Sequence, residues 1–166
     1  MQVPTRKGDK IPRPKADPFM TAAKFEELKA KLQKWKTVNR PREAAEVARL
    51  ALMGDFSENT GYQVAKGRLR GLNQRILDTE NLLTRAEIIT PTGVGDTVTL
   101  GSQVTIEKDG RQKTYRILGA SETDPDAGVI SYSSPLGAAL LGRHVEEVIR
   151  VELNGKNVEY KIIKIN

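Results

Sequence analysis

Apolar residues recur at helical spacing along the first half of the chain and at strand spacing along the second. Phe25, Leu28, Leu32, Trp35 and Val38 fall three and four apart, which predicts a helix with one buried stripe. Thr21 stands where an N-cap belongs. Pro41 lacks the N–H a helix interior needs, so a kink or a restart is expected there. The stripe resumes at Ala44, Val47, Ala48, Ala51 and Leu52 and stops at Gly54, a good residue just past a helix end. After the polar turn Asp55-Phe56-Ser57-Glu58-Asn59 a second stripe runs Tyr62, Ala65, Leu69, Leu72, Ile76, Thr79, Leu83, Ala86. Its steps alternate three and four, the signature of a coiled-coil seam. Two helices of about 30 residues joined by a short turn must pack antiparallel, as a hairpin on the order of 45 Å long. Residues 54–59 are its distal tip.

Past Thr90-Pro91-Thr92-Gly93 the period changes to two. Thr97–Leu100 and Gln103–Glu107 read as strands, and Lys108-Asp109-Gly110 turns the chain into Lys113–Leu118. Gly128–Tyr132 is a short strand. Ser134-Pro135-Leu136 opens a short helix that ends at Gly142. Val148–Leu153, Asn154-Gly155 and Val158–Ile165 make a hairpin with an Asn-Gly turn. The expected class is α+β: an antiparallel helical hairpin over 21–90, then a domain over 91–166 of four to six antiparallel strands around one helix.

The segment 1–20 differs from both. It holds Pro4, Pro12, Pro14 and Pro18 among Arg6, Lys7, Lys10, Arg13 and Lys15, with almost nothing to bury. It reads as a basic flexible tail, either without a dedicated role or in weak electrostatic contact with DNA, RNA or an acidic protein. Charge follows the same division: residues 1–20 carry a net +3, residues 21–90 a net +4 and residues 91–166 a net −1, within a total of +6. Any polyanion would therefore meet the N-terminal half.

Composition narrows the chemistry. With no cysteine there is no disulfide, thiolate metal site or Cys nucleophile, as suits a reducing compartment. His144 is the single histidine, which argues against His-based zinc chemistry and against a Ser-His-Asp triad. No apolar run approaches the roughly 18 residues that span a bilayer, and the N-terminus has no signal-peptide core. A soluble, cytoplasmic monomer is expected.

Two clusters remain. Between Asn59 and Leu77 there is no acidic residue, while Lys66, Arg68, Arg70 and Arg75 all lie there. Lys66 and Arg70 share one helix face, and Arg68 and Arg75 another. Such a stretch is either a solvated surface or a set of phosphate contacts, and the missing carboxylates favour the second. At the turn, Asp55 and Glu58 are three residues apart. They could cap the second helix, or converge on a Mg²⁺ ion that keeps its waters and borrows ligands from a substrate. Two carboxylates alone cannot close a tight metal site, so catalysis would need a partner's active centre.

These motifs resemble a known family. Gly54-Asp55-Phe56-Ser57-Glu58-Asn59 with Tyr62, the stretch Lys36–Pro41, and Gly128–Gly142 (GVISYSSPLGAALLG) are similar, in the same order, to the bacterial Gre transcript cleavage factors, GreA and GreB. The likeness runs from about Met20 to Ile165. It implies a non-enzymatic cofactor of RNA polymerase whose coiled coil enters the secondary channel while an FKBP-like domain grips the rim. Asp55 and Glu58 would help the polymerase hold its second Mg²⁺ and orient the water that cleaves backtracked RNA, with Ser57 and Asn59 in support. The free protein would bind no cofactor tightly. Lys66, Arg68, Arg70 and Arg75 would guide the RNA 3′ end, and Ser134, Pro135 and Leu136 would touch the polymerase. Gly61 stands where the family often has an acidic residue. The hairpin resembles GreB and the SPLG segment GreA, so the subtype stays open. The alternative is a channel-occupying regulator that does not stimulate cleavage. Prolyl isomerisation has only the expected fold in its favour, since Tyr115, Tyr132 and Tyr160 are the only aromatics past Tyr62.

Overall fold

The computed structural model describes residues 17–53, 60–90, 95–153 and 155–166. The helical part comprises α1 (Ala22–Lys34), a π-helical turn at Trp35–Asn39, α2 (Arg40–Ala51) and α3 (Thr60–Thr84). Thr21 caps α1 as expected, its hydroxyl accepting from the Lys24 amide at 3.2 Å. Across the seam Lys36 pairs with Glu80, while Glu43 and Glu46 lie beside Arg68, so the first arm and α3 run antiparallel. At 25 residues α3 is roughly 37 Å long.

Pro41 neither breaks nor sharply ends the first arm. The chain widens into the π turn just before it, the Arg40 amide donating five residues back to the Trp35 carbonyl. In an α-helix the proline ring would collide with the carbonyl four residues earlier. A wider turn is the least costly way to separate them.

That turn shifts the buried stripe. Phe25, Leu28, Leu32 and Trp35 are half-buried, as expected, but Val38 is 55% exposed and the seam passes through Asn39. It then takes Glu43, Val47 and Leu50, leaving Ala44, Ala48 and Leu52 exposed. An unbroken heptad from Phe25 would have turned Arg42 and Arg49 inward with Glu46; the one extra residue leaves both arginines exposed and brings Val47 and Leu50 in, with Glu46 half-buried beside them. On α3, which has no such turn, every expected stripe position is buried or half-buried.

The second part is a five-stranded sheet of order β5-β4-β3-β7-β6: β3 (Gln103–Lys108), β4 (Arg111–Leu118), β5 (Val129–Ser131), β6 (Val148–Leu153) and β7 (Lys156–Ile165). One edge departs from the antiparallel expectation, because β5 runs parallel to β4 with Ile117 opposite Ile130. The chain must cross over between them, through residues 119–128, instead of turning back directly. Thr97–Leu100 forms no strand, only an isolated bridge from Thr97 to His144. Helix α4 (Pro135–Leu140) covers a core of Val104, Ile106, Ile117, Leu140, Ile149 and Ile162.

Of the tail expected over 1–20, residues 1–16 lie outside the described residues, and Asp17–Met20 belong to the fold. Strand β1 (Phe19–Met20) pairs in parallel with β2 (Glu87–Ile88), and Met20 is wholly buried. This segment joins the two parts. The Asp17 carboxylate accepts from the Ala120 amide at 2.7 Å and from the Tyr132 hydroxyl at 3.3 Å. Glu122 accepts from both the amide and the hydroxyl of Thr21, at 2.7 and 2.6 Å. Phe19 meets Tyr132 edge to face at 5.6 Å. Gly119 makes the approach possible, since a Cβ there would lie 1.8 Å from the Phe19 carbonyl oxygen.

Candidate functional site

The hairpin turn is the first expected site. Asp55, Ser57, Glu58 and Asn59 lie outside the described residues. What leads to them is described: α2 ends at Ala51, α3 begins at Thr60, and Leu52 and Met53 are both strongly exposed, Leu52 at 89%. The opposite end of the hairpin is the one tied to the sheet domain, so Ala51 and Thr60 lie at the end away from that anchor.

The four basic residues of α3 divide between two faces. Lys66 and Arg70 line an open cleft of about 350 Å³ with Leu69, Asn73, Gln74 and Leu77, no carboxylate among them. The Lys66 ammonium also sits 5.7 Å from the centre of the Tyr62 ring. Arg68 and Arg75 instead line a cleft of about 250 Å³ against the first arm, with Trp35, Asn39, Glu43 and Leu72. Arg68 also helps hold the Glu46 carboxyl below its ordinary range, the larger cause being the hydrogen bond from Arg49. Lys66 and Arg70 are therefore the pair with an outward electrostatic face.

Ser134, Pro135 and Leu136 are adjacent but differently engaged. The Ser134 hydroxyl caps α4 by accepting from the Gly137 amide at 3.0 Å, and donates to the Ser131 carbonyl at 2.7 Å. Leu136 packs against the core, and Pro135 faces outward. The sequence reading did not single out a further groove, of about 670 Å³, on the core side of the sheet where no α4 residue lines it. Ile106, Tyr115 and Tyr160 line it with Lys108, Arg111 and Lys113, three cations against the single carboxylate of Asp109. The signal was the period-two run Arg111, Lys113, Tyr115, which puts all three on one face of β4. Burial raises the Tyr160 phenol above its ordinary range, with Tyr115 adding to the shift.

No group of three or more His, Asp or Glu side chains converges among the described residues. Nor is any described helix long and apolar enough to cross a membrane. Fold and candidate sites define a two-part protein, a helical arm mounted on a sheet domain, with polar and basic surfaces on both. Its lineage is settled by comparison. Residues 18–88 match the family described as transcription elongation factor, N-terminal, and residues 91–166 match transcription elongation factor, GreA/GreB, C-term. The chain belongs to the GreA/GreB family of transcription elongation factors. It is 36% identical to transcription elongation factor GreA of Staphylococcus carnosus over 88% of this chain and 93% of that protein. It is 38% identical to GreA of Sphingopyxis alaskensis over 88% and 93%. Among solved structures, GreA factor homolog 1 of Thermus thermophilus shares 26% identity over 89% of this chain and 97% of that one, with a TM-score of 0.40.

Proposed function

We propose that this protein binds bacterial RNA polymerase, reaches its active centre through the secondary channel with the helical hairpin, and stimulates the polymerase's own cleavage of backtracked RNA. The observation that carries the reading is the pair Asp55 and Glu58 in the connection of a hairpin whose other end is anchored to a second domain. A two-metal displacement stabilises both the attacking and the leaving oxygen. Where the polymerase holds its second Mg²⁺ loosely, Asp55 and Glu58 supply the missing oxygen ligands, and Ser57 and Asn59 support them. The hairpin holds these groups at the reacting phosphate, and the polymerase performs the chemistry.

The protruding RNA 3′ end follows Lys66 and Arg70, the outward basic pair, while Arg68 and Arg75 contribute mainly within the hairpin. Pro135 is the exposed member of the expected polymerase contact, and the basic groove on the sheet is a second surface suited to an acidic segment of the polymerase. Exposed Leu52 and Met53 fit an arm whose end works inside a partner.

Backtracked polymerase supplied with this protein should release 3′ RNA fragments, and Asp55→Asn should abolish the stimulation while leaving polymerase binding intact. Binding without fragment release by the wild-type chain would instead establish the non-cleaving regulator. Normal cleavage by Asp55→Asn would remove the carboxylate from the mechanism.

A further inference from the structure

The middle of the hairpin seam is polar where the stripe around it is apolar. Asn39 occupies the position that follows Phe25, Leu28, Leu32 and Trp35 in strict three-four alternation, the a position of a heptad. Glu43 comes next, turned inward by the π turn. The side-chain oxygens Oδ1 of Asn39 and Oε2 of Glu43 are both buried without a hydrogen-bond partner. Arg68 and Arg75 line the same cleft from the facing helix, hydrogen-bonded to neither oxygen. Two buried acceptors opposite two arginines are complementary only in one alignment of the helices. An apolar seam tolerates sliding by a turn, because one aliphatic contact replaces another, whereas a buried acceptor displaced from this cleft loses the positive charge that the two arginines bring to it.

We infer that Asn39 and Glu43 are positioning residues: with Arg68 and Arg75 they form a polar key that fixes the axial register of the two arms and thereby the placement of the segment joining them. The inference deepens the proposed cleavage function, on which its activity readout rests. A one-turn slip moves α2 past α3 by about 5.4 Å. Misplacement of even an ångström at a reacting centre costs orders of magnitude in rate. The π turn belongs to the same device, since without its extra residue Arg42 would take the seam position that Glu43 holds.

The absence of cysteine makes the test direct. Spin labels at Ala48→Cys and Val64→Cys, both exposed and on facing helices, report the register as a distance distribution in the full-length protein. The wild-type pairing should give one narrow distance. In Asn39→Leu/Glu43→Leu it should broaden or shift, while the thermal unfolding midpoint stays equal or rises, as for apolar replacement of a buried polar cluster. Affinity for polymerase should be unchanged, and cleavage at saturating protein should fall about tenfold or more. Glu43→Gln, which keeps an acceptor for the arginines, should retain the wild-type distance. An unshifted narrow distance in the double leucine variant overturns the key, as does failure of that variant to fold. A shifted distance in a protein whose wild type never stimulates cleavage leaves the key standing and removes the cleavage function instead.

Discussion

Gly137 shows how little freedom some positions have. A Cβ there would meet the Ser131 carbonyl oxygen at 2.1 Å, with Ser134 Oγ at 3.0 Å, so α4 can lie on β5 only where that side chain is missing. Gly137→Ala should destabilise the sheet domain by about 1–3 kcal/mol, measured by urea unfolding, because the clash is with backbone and cannot rotate away. Tyr132 is another constrained residue. Burial is the main cause that raises its phenol above the ordinary value, and the Asp17 carboxylate beside it adds to the shift. The folded form thus holds its proton more tightly than the unfolded chain does. The stabilisation is complete below about pH 10, the ordinary phenol value, and is lost as pH rises through the folded value. The thermal midpoint of the wild type should fall more steeply above that pH than that of Tyr132→Phe. Parallel curves would mean that the phenol does not titrate in the contact.

At the scale of the element, the π turn decides which valine matters. Val38 and Val47 are chemically identical, and both belong to the stripe the sequence predicts. After the turn Val47 is half-buried and Val38 is mostly exposed. Val47→Ala should therefore cost about 1 kcal/mol of stability, since its methyl groups leave water on folding. Val38→Ala should stay within about 0.5 kcal/mol. Equal costs would place the seam where the uninterrupted pattern puts it. Strand β6, by contrast, follows its alternation directly, with Ile149 and Val151 inward, while β7 carries a bulge against β3 between Ile162 and Lys164 that brings both Ile162 and Ile165 inward.

At the scale of the whole molecule, the orientation of the arm rests on a few groups around Asp17–Thr21. Glu122 is central, because its carboxylate takes both donors of the residue that caps α1. Glu122→Ala should weaken docking of the two parts by about 1–3 kcal/mol, as loss of hydrogen bonds to a charged acceptor does. Hydrogen exchange at the Thr21 amide should then accelerate while amides inside β3 and β7 keep their protection. Unchanged exchange at Thr21 would show that β1, β2 and the Phe19–Tyr132 contact suffice. If the hairpin acts at a distance from its anchor, the same variant should also lower cleavage stimulation without touching Asp55 or Glu58.

Local pattern by itself determined the helical identity of the hairpin arms, the Thr21 cap, the full stripe of α3 and most of the sheet strands. These follow from periodicity and from backbone chemistry that neighbouring residues supply. The tip motif was equally legible, as a short run of residues. The register of the first arm was not, because Pro41 announces a disturbance without saying whether the chain will kink, restart or widen. That choice was made by the facing helix, against which Val47 and Leu50 bury better than Arg42 and Arg49. Pairing of β1 with β2, the parallel β5 edge and the division of Lys66 and Arg70 from Arg68 and Arg75 also depended on contacts between residues far apart in the chain. Only tertiary structure decides such features, since their energy lies in burial and hydrogen bonds that no single segment can make alone.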